Sequence, residues 1–247
     1  MNLSKKWLWL VFFFIYCYAA SSFAQDENSC LVCHRELPYD TFVGENYLKW
    51  QSSVHSRAGI TCDRCHAGNP AQKELPAAHL GVLNSGQPQS KVYFKNVPRT
   101  CGSCHTQEYK AFRTSIHYRE LEEKGEGPTC VSCHGSKAAA IVTPEQLVQI
   151  CVRCHNSQKQ IDPAVPTQAY NALYLLSVAQ EMLSWGDELL RNSGSKNEKV
   201  VAEPYLAAAK NSFARAQNSW HAFDLELETS LTQATLENLK KMKRALE

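Results

Sequence analysis

A chain of 247 residues is long enough for one or two domains. Its 26 Lys and Arg against 24 Asp and Glu leave no basic excess that would argue for nucleic acid. What stands out is eleven cysteines and nine histidines, an abundance with three ordinary explanations: a disulfide framework, zinc, or covalently bound haem.

The N-terminus sets the compartment. Lys5 and Lys6 precede an apolar run from Trp7 to Ala20, and Ser22-Phe23-Ala24 offers the small residues a signal peptidase needs. This pattern predicts a signal peptide over 1–24, cleaved after Ala24, and a periplasmic location. The run is short for a membrane span, which needs about 20 apolar residues. Membrane contact is therefore expected only if the segment stays uncleaved. Removing it takes away Lys5 and Lys6 and no acid, so 24 basic residues then balance 24 acidic ones. Cys17 leaves with it.

The other ten cysteines fall in five identical frames. They are Cys30-Leu-Val-Cys33-His34, Cys62-Asp-Arg-Cys65-His66, Cys101-Gly-Ser-Cys104-His105, Cys130-Val-Ser-Cys133-His134 and Cys151-Val-Arg-Cys154-His155. Two residues between cysteines match the separation of the two porphyrin vinyl groups. A histidine immediately after them supplies the proximal iron ligand, so one string encodes attachment and ligation together. Zinc ribbons use the cysteine pairs without needing the histidine, and a disulfide framework gives the histidine no purpose. Five strings of five predict five covalently bound haem c groups.

The strings occupy 30–155, about 25 residues per haem, too few for an independent apolar core. The expected fold is mainly α with extensive loops, the haems themselves forming the core of a domain over 25–160. Within it lies a repeat. Tyr47-Leu-Lys-Trp-Gln-Ser-Ser-Val-His55 aligns without gaps with Tyr109-Lys-Ala-Phe-Arg-Thr-Ser-Ile-His117. Each copy follows one string and leads through a glycine-containing loop into the next, which predicts two copies of a two-haem unit plus a fifth haem. In each copy a short amphipathic helix is expected to end at the histidine.

From 161 to 247 the character changes to a helical domain. Leu173, Leu176, Leu183 and Leu190 fall at helical spacing over 167–192, which ends near Asn192-Ser-Gly194. A second helix is expected to carry Pro204 in its first turn. Leu206, Phe213, Trp220 and Leu227 recur every seven residues, flanked by Ala209, Ala216 and Phe223. The pattern predicts the packing seam of a long helical hairpin.

Four histidines lie outside the strings: His55, His79, His117 and His221. A second axial histidine makes a haem six-coordinate and suits it to electron transfer. His55 and His117 share one place in the repeat and lead as distal ligands. His221 leans one residue off the seam, and His79 sits in a loop. Five irons and four histidines leave at least one haem short, and oligomerisation brings the same deficit with every copy.

The strings, the histidines ahead of them and the late histidine in a helical tail resemble a superfamily of multihaem c-type cytochromes. It contains the pentahaem nitrite reductases, their pentahaem donors and hydroxylamine oxidoreductase. The resemblance implies closely stacked haems forming a path for electrons. The ammonia-forming nitrite reductases usually hold their catalytic haem through Cys-x-x-Cys-Lys, whereas all five strings here end in histidine. The expected function is a periplasmic electron carrier serving a reductase, an oxidase or a quinol-oxidising complex, as a monomer or homo-oligomer, with no catalytic residue assigned. The alternative is a small reductase of a nitrogen or sulfur oxyanion, acting at the haem that lacks a distal histidine.

Overall fold

The computed structural model describes residues 28–135, 143–193 and 195–247; the signal peptide expected over 1–24, with Cys17, lies outside them. Among the described residues the regular structure is helical, without strands. In chain order the helices are α1 (Ser29–His34), α2 (Phe42–Gln51), α3 (Val54–Arg57), α4 (Cys62–His66), α5 (Leu75–Ala78), α6 (Val97–Gly102), α7 (Thr106–Phe112), α8 (Ile116–Lys124), α9 (Cys130–His134), α10 (Pro144–Cys151), α11 (Val165–Asn192), α12 (Lys196–His221) and α13 (Leu225–Ala245). None is long and apolar enough to cross a membrane. The chain divides into two compact units, one containing 28–48 and 61–82, the other 49–60 and 83–247.

In the first unit, short helices are tied together by polar contacts. The Asn28 side chain caps α1 by accepting from the Cys30 and Leu31 N–H groups. Ser29 N–H donates to the Pro70 carbonyl at 2.8 Å. After α4 the backbone turns through Gly68 at φ +91°, where a Cβ would lie 2.7 Å from the Ala78 carbonyl oxygen. Glycine is needed there both for the dihedral and for the close approach. Asn69 N–H donates to that same carbonyl at 2.9 Å, fastening the exit of α4 to the end of α5.

In the second unit the repeat takes a form different from the one expected. Neither histidine ends a helix. The chain breaks before it, and a new helix starts: α3 for His55 and α8 for His117. The cause is the serine that both copies share. Ser53 Oγ accepts from Ser56 N–H and Ser115 Oγ from Tyr118 N–H, each an N-cap on a buried serine with extended backbone. Both histidines therefore occupy the second position of a capped helix. Between α8 and α9 the chain passes Gly127 at φ +113°, where a Cβ would stand 2.9 Å from the His117 carbonyl oxygen.

The tail holds three helices where a hairpin was expected. α11 runs as anticipated and stops at Asn192. α12 starts earlier than the proline suggested: Ser195 caps it by accepting from Glu198 N–H, and Pro204 lies inside the helix. The chain turns at Ala222-Phe223-Asp224, and Asp224 caps α13 by accepting from Leu227 N–H at 3.0 Å. Leu206, Phe213 and Trp220 form the seam on α12, but Leu227 lies beyond the turn and is exposed. Ala202, Ala209 and Ala216, also seven residues apart, are fully buried. Small side chains at that spacing let α12 approach its neighbours closely. Leu183, Leu206, Leu239 and Met242 fill one cluster, and Leu176, Ala216 and Leu231 a second.

Candidate metal centres

Each string follows a helical turn. Cys30–His34, Cys62–His66 and Cys130–His134 lie within α1, α4 and α9. In the other two strings the helix closes at the first cysteines, and the histidine N–H still donates to the carbonyl four residues back: His105 to Cys101 and His155 to Cys151, both at 2.9 Å. Residues i, i+3 and i+4 share one helical face. Both sulfurs and the imidazole of a string therefore point the same way, which is what fastening a porphyrin beneath its iron requires. None of the ten cysteines is in a disulfide.

The four histidines outside the strings each stand opposite a different string histidine. In the first unit His79 faces His34, with ring centroids 6.0 Å apart and planes 22° from parallel. In the second unit His55 faces His105 at 6.1 Å and 79°. There too His117 faces His155 at 6.0 Å and 83°, and His221 faces His134 at 6.5 Å and 17°. Metal–imidazole bonds are about 2.0–2.1 Å long; with the ring radius added on each side, two imidazoles on one iron place their centroids about 6 Å apart. The side chains fit haem iron. Zinc fits poorly, because it wants four converging ligands, and among the described residues no three His, Cys, Asp or Glu side chains gather to hold a metal ion.

The electrostatics favour the metal-binding form of the rings. Burial, then the neighbouring His155, pushes His117 down to about 4. Burial followed by His79 lowers His34. Burial also lowers His221, with His134 adding to it against a hydrogen bond to Gln217. A depressed value keeps the imidazole neutral, and the neutral ring binds iron. Several rings are also aimed from behind. His79 Nδ1 lies 2.8 Å from the Leu75 carbonyl oxygen, His221 Nδ1 2.7 Å from that of Gln217, and His155 Nδ1 3.2 Å from that of Asp162. With Nδ1 donating to a carbonyl, Nε2 keeps its lone pair for a metal.

Within each unit, sulfurs of successive strings are neighbours. Burial and then Cys30 raise the Cys62 thiol to about 11, and burial and then Cys151 raise Cys133 to about 11. Cys101 and Cys130 hydrogen-bond to each other, which raises the first and lowers the second. In the second unit the strings at Cys101, Cys130 and Cys151 thus follow one another in space as in sequence.

Every histidine proposed from the sequence as a distal ligand is brought to a string. His79, expected in a loop, caps the C-terminus of α5. Sequence reasoning missed the role of Ser53 and Ser115, although their recurrence before an aliphatic residue and a histidine was the available signal. It also missed Phe223, whose ring packs on His117.

Residues 86–156, which include three of the five strings, match the family described as cytochrome c7 and related cytochrome c. The chain is 27% identical over 126 residues to the C-type polyheme cytochrome OmcB of Geobacter sulfurreducens, in strain DL-1/KN400 and in strain PCA alike. That match covers 47% of this chain and 14% of the length of the relative. No solved structure matches the chain. The geometry and the two likenesses together support a multihaem c-type cytochrome, a class whose haem c is covalently bound and whose work is electron transfer.

Proposed function

We propose that this protein is an exported pentahaem cytochrome that carries electrons along its haems, one at a time, to or from a redox partner protein. One observation carries the proposal: four histidines from outside the strings face four different string histidines at 6.0–6.5 Å. His79, His55, His117 and His221 are then the distal ligands of the haems on His34, His105, His155 and His134. Bis-histidine iron has no open position, changes little on reduction and sits at lower potential than Met/His iron. The finer likeness, to the superfamily of pentahaem nitrite reductases and their donors, rests on the strings and the late histidine of the tail.

Haem-stain quantitation and the mass of the mature protein test the count, with five haems and an N-terminus near Gln25 expected. A longer chain retaining the apolar segment would favour a membrane-held, quinol-oxidising subunit instead. Redox titration should give several overlapping one-electron steps at negative potentials, and uniformly high potentials would count against the carrier.

A second reading follows from the same pairing. His66 has contacts of its own, but the four distal candidates are committed to other strings. The haem on Cys62 and Cys65 then takes a sixth donor of another kind, or binds a small molecule there. Carbon monoxide added to the reduced protein separates the cases: a spectral change in one haem of five supports a small oxyanion reductase, and none supports the carrier.

A further inference from the structure

The turn that ends α12 closes with two hydrogen bonds, Phe223 N–H to the Trp220 carbonyl and Asp224 N–H to that of Ser219, both at 3.0 Å. This is the helix stop in which the residue after the cap is left-handed, and glycine is the usual occupant. Here it is Phe223, at φ 59°. A bulky residue in that region is strained, and such strain persists where the surroundings or the function require it.

The phenyl ring meets the His117 imidazole, with centroids 4.1 Å apart and planes 71° from parallel. Behind it stands Phe112, 6.2 Å from Phe223 and 5.5 Å from Tyr118. His117 differs from the other distal rings whose backing is described. His79 and His221 lie at helix C-termini and reach the carbonyl four residues back. His117 lies in the first turn of α8, with no helical carbonyl behind it, and its Nδ1 is buried without a hydrogen-bond partner. A ligating histidine is ordinarily oriented through that nitrogen.

We infer that Phe223 is a positioning residue for the haem on Cys151 and Cys154, fixing the plane of the distal His117 ring by packing where a hydrogen bond does so elsewhere. The inference rests on the proposed ligation of that haem by His155 and His117. It also links two centres through one turn, since His221, two residues before Phe223, faces His134. The planes of His117 and His155 stand at 83°. Near-perpendicular axial imidazoles give low-spin ferric haem a single large-g resonance, whereas near-parallel ones, as at His34–His79 and His134–His221, give a rhombic spectrum.

Electron paramagnetic resonance of the oxidised holoprotein tests this. His117→Ala first identifies the signal of this haem by turning it high-spin. Phe223→Gly, which relieves the left-handed strain while removing the ring, should then abolish or move that large-g feature and shift the potential of that haem alone. Phe223→Asn, also at ease in the left-handed region, should do the same, and Phe223→Tyr should restore the wild-type signal. An unchanged signal and potential in Phe223→Gly and Phe223→Asn, with five haems present, overturns the positioning role. Should His117→Ala leave every haem low-spin, the proposed ligation itself fails, a result distinct from the first.

Discussion

Among the described residues, α11 to α13 bury leucines, alanines and Met242 against one another, in clusters that use only their own side chains. The described residues of the string-bearing stretch from 28 to 160 bury few apolar side chains, namely Val97, Phe112, Leu121 and Leu147, while Phe42, Leu75 and Leu80 are 80%, 72% and 79% exposed. Its order comes from caps, turns and histidine pairs. Peptide burial of that extent falls far short of the conformational entropy of more than a hundred residues. The comparison teaches that the two regions depend on different partners: the tail on itself, the remainder on the porphyrins proposed to bind it.

The largest effect should come from withholding haem. Expressed without the attachment machinery, the chain should lose hydrogen-exchange protection throughout 28–160 and retain it in α11 and α13. An apoprotein protected across 28–160 would break the comparison, since a peptide core would then suffice. Next in size is a change at His221, the last residue of α12, which faces His134. His221→Ala should turn the iron of the haem proposed on His134 high-spin in paramagnetic resonance and open it to carbon monoxide. Far-ultraviolet helicity should stay near the wild-type level, because His221 is the last residue of α12 and lies off the seam of Leu206, Phe213 and Trp220.

That asymmetry also explains what could be read from the sequence. The strings are legible because the chemistry needs both cysteines and the histidine contiguous on one helical turn. The histidines proposed as distal ligands were legible in part, because His55 and His117 recur in a repeat. Their pairing was not, since which ring meets which depends on tertiary approach. The helix breaks before them were hidden because Tyr47–His55 and Tyr109–His117 read as continuous amphipathic stretches, and a single serine hydroxyl decides where each restarts. In the tail, Leu206, Phe213 and Trp220 revealed the seam, but its seven-residue period ran on to Leu227 across a turn. Nothing in the period registers that Phe223 leaves the helix at φ 59°. Pro204 misled in the other direction, because a proline early in a helix is usually in its first turn, and here the Ser195 cap opens α12 sooner.

A smaller effect should separate the tail from the haems. Ala209 is fully buried in the α12 seam, so Ala209→Leu forces extra volume into a packed contact at a cost of about 1–3 kcal/mol. In a chain of this size each kcal/mol lowers the midpoint by about 2–4 °C. Thermal unfolding followed at 222 nm should show the loss while the haem spectrum at room temperature stays unchanged. A shift of the haem bands would mean that the two regions are not separable in this way.

The smallest effect concerns a charge inside the tail. Glu228 is fully buried near the start of α13, where Thr232 donates to its Oε1 at 2.7 Å and Thr229 to its Oε2 at 3.2 Å. Burial raises its carboxyl above the ordinary value, and the two hydroxyls only oppose that rise. The native state therefore holds this proton more tightly than the unfolded chain does. The contribution to stability is largest below the unfolded carboxyl pKa of about 4.3, falls as pH rises through the window up to the folded value, and stays low at neutrality. Glu228→Gln keeps the shape and an acceptor for Thr232 while removing the charge. It should raise the midpoint at pH 7 by about 2–4 °C, the equivalent of roughly 1 kcal/mol, and bring no gain at pH 4. Taking the difference between variant and wild type at each pH removes the titration of haem propionates from the comparison. A variant less stable than wild type by the same amount at both pH values would mean that the threonine hydroxyls outweigh burial and that this carboxylate is at home ionised.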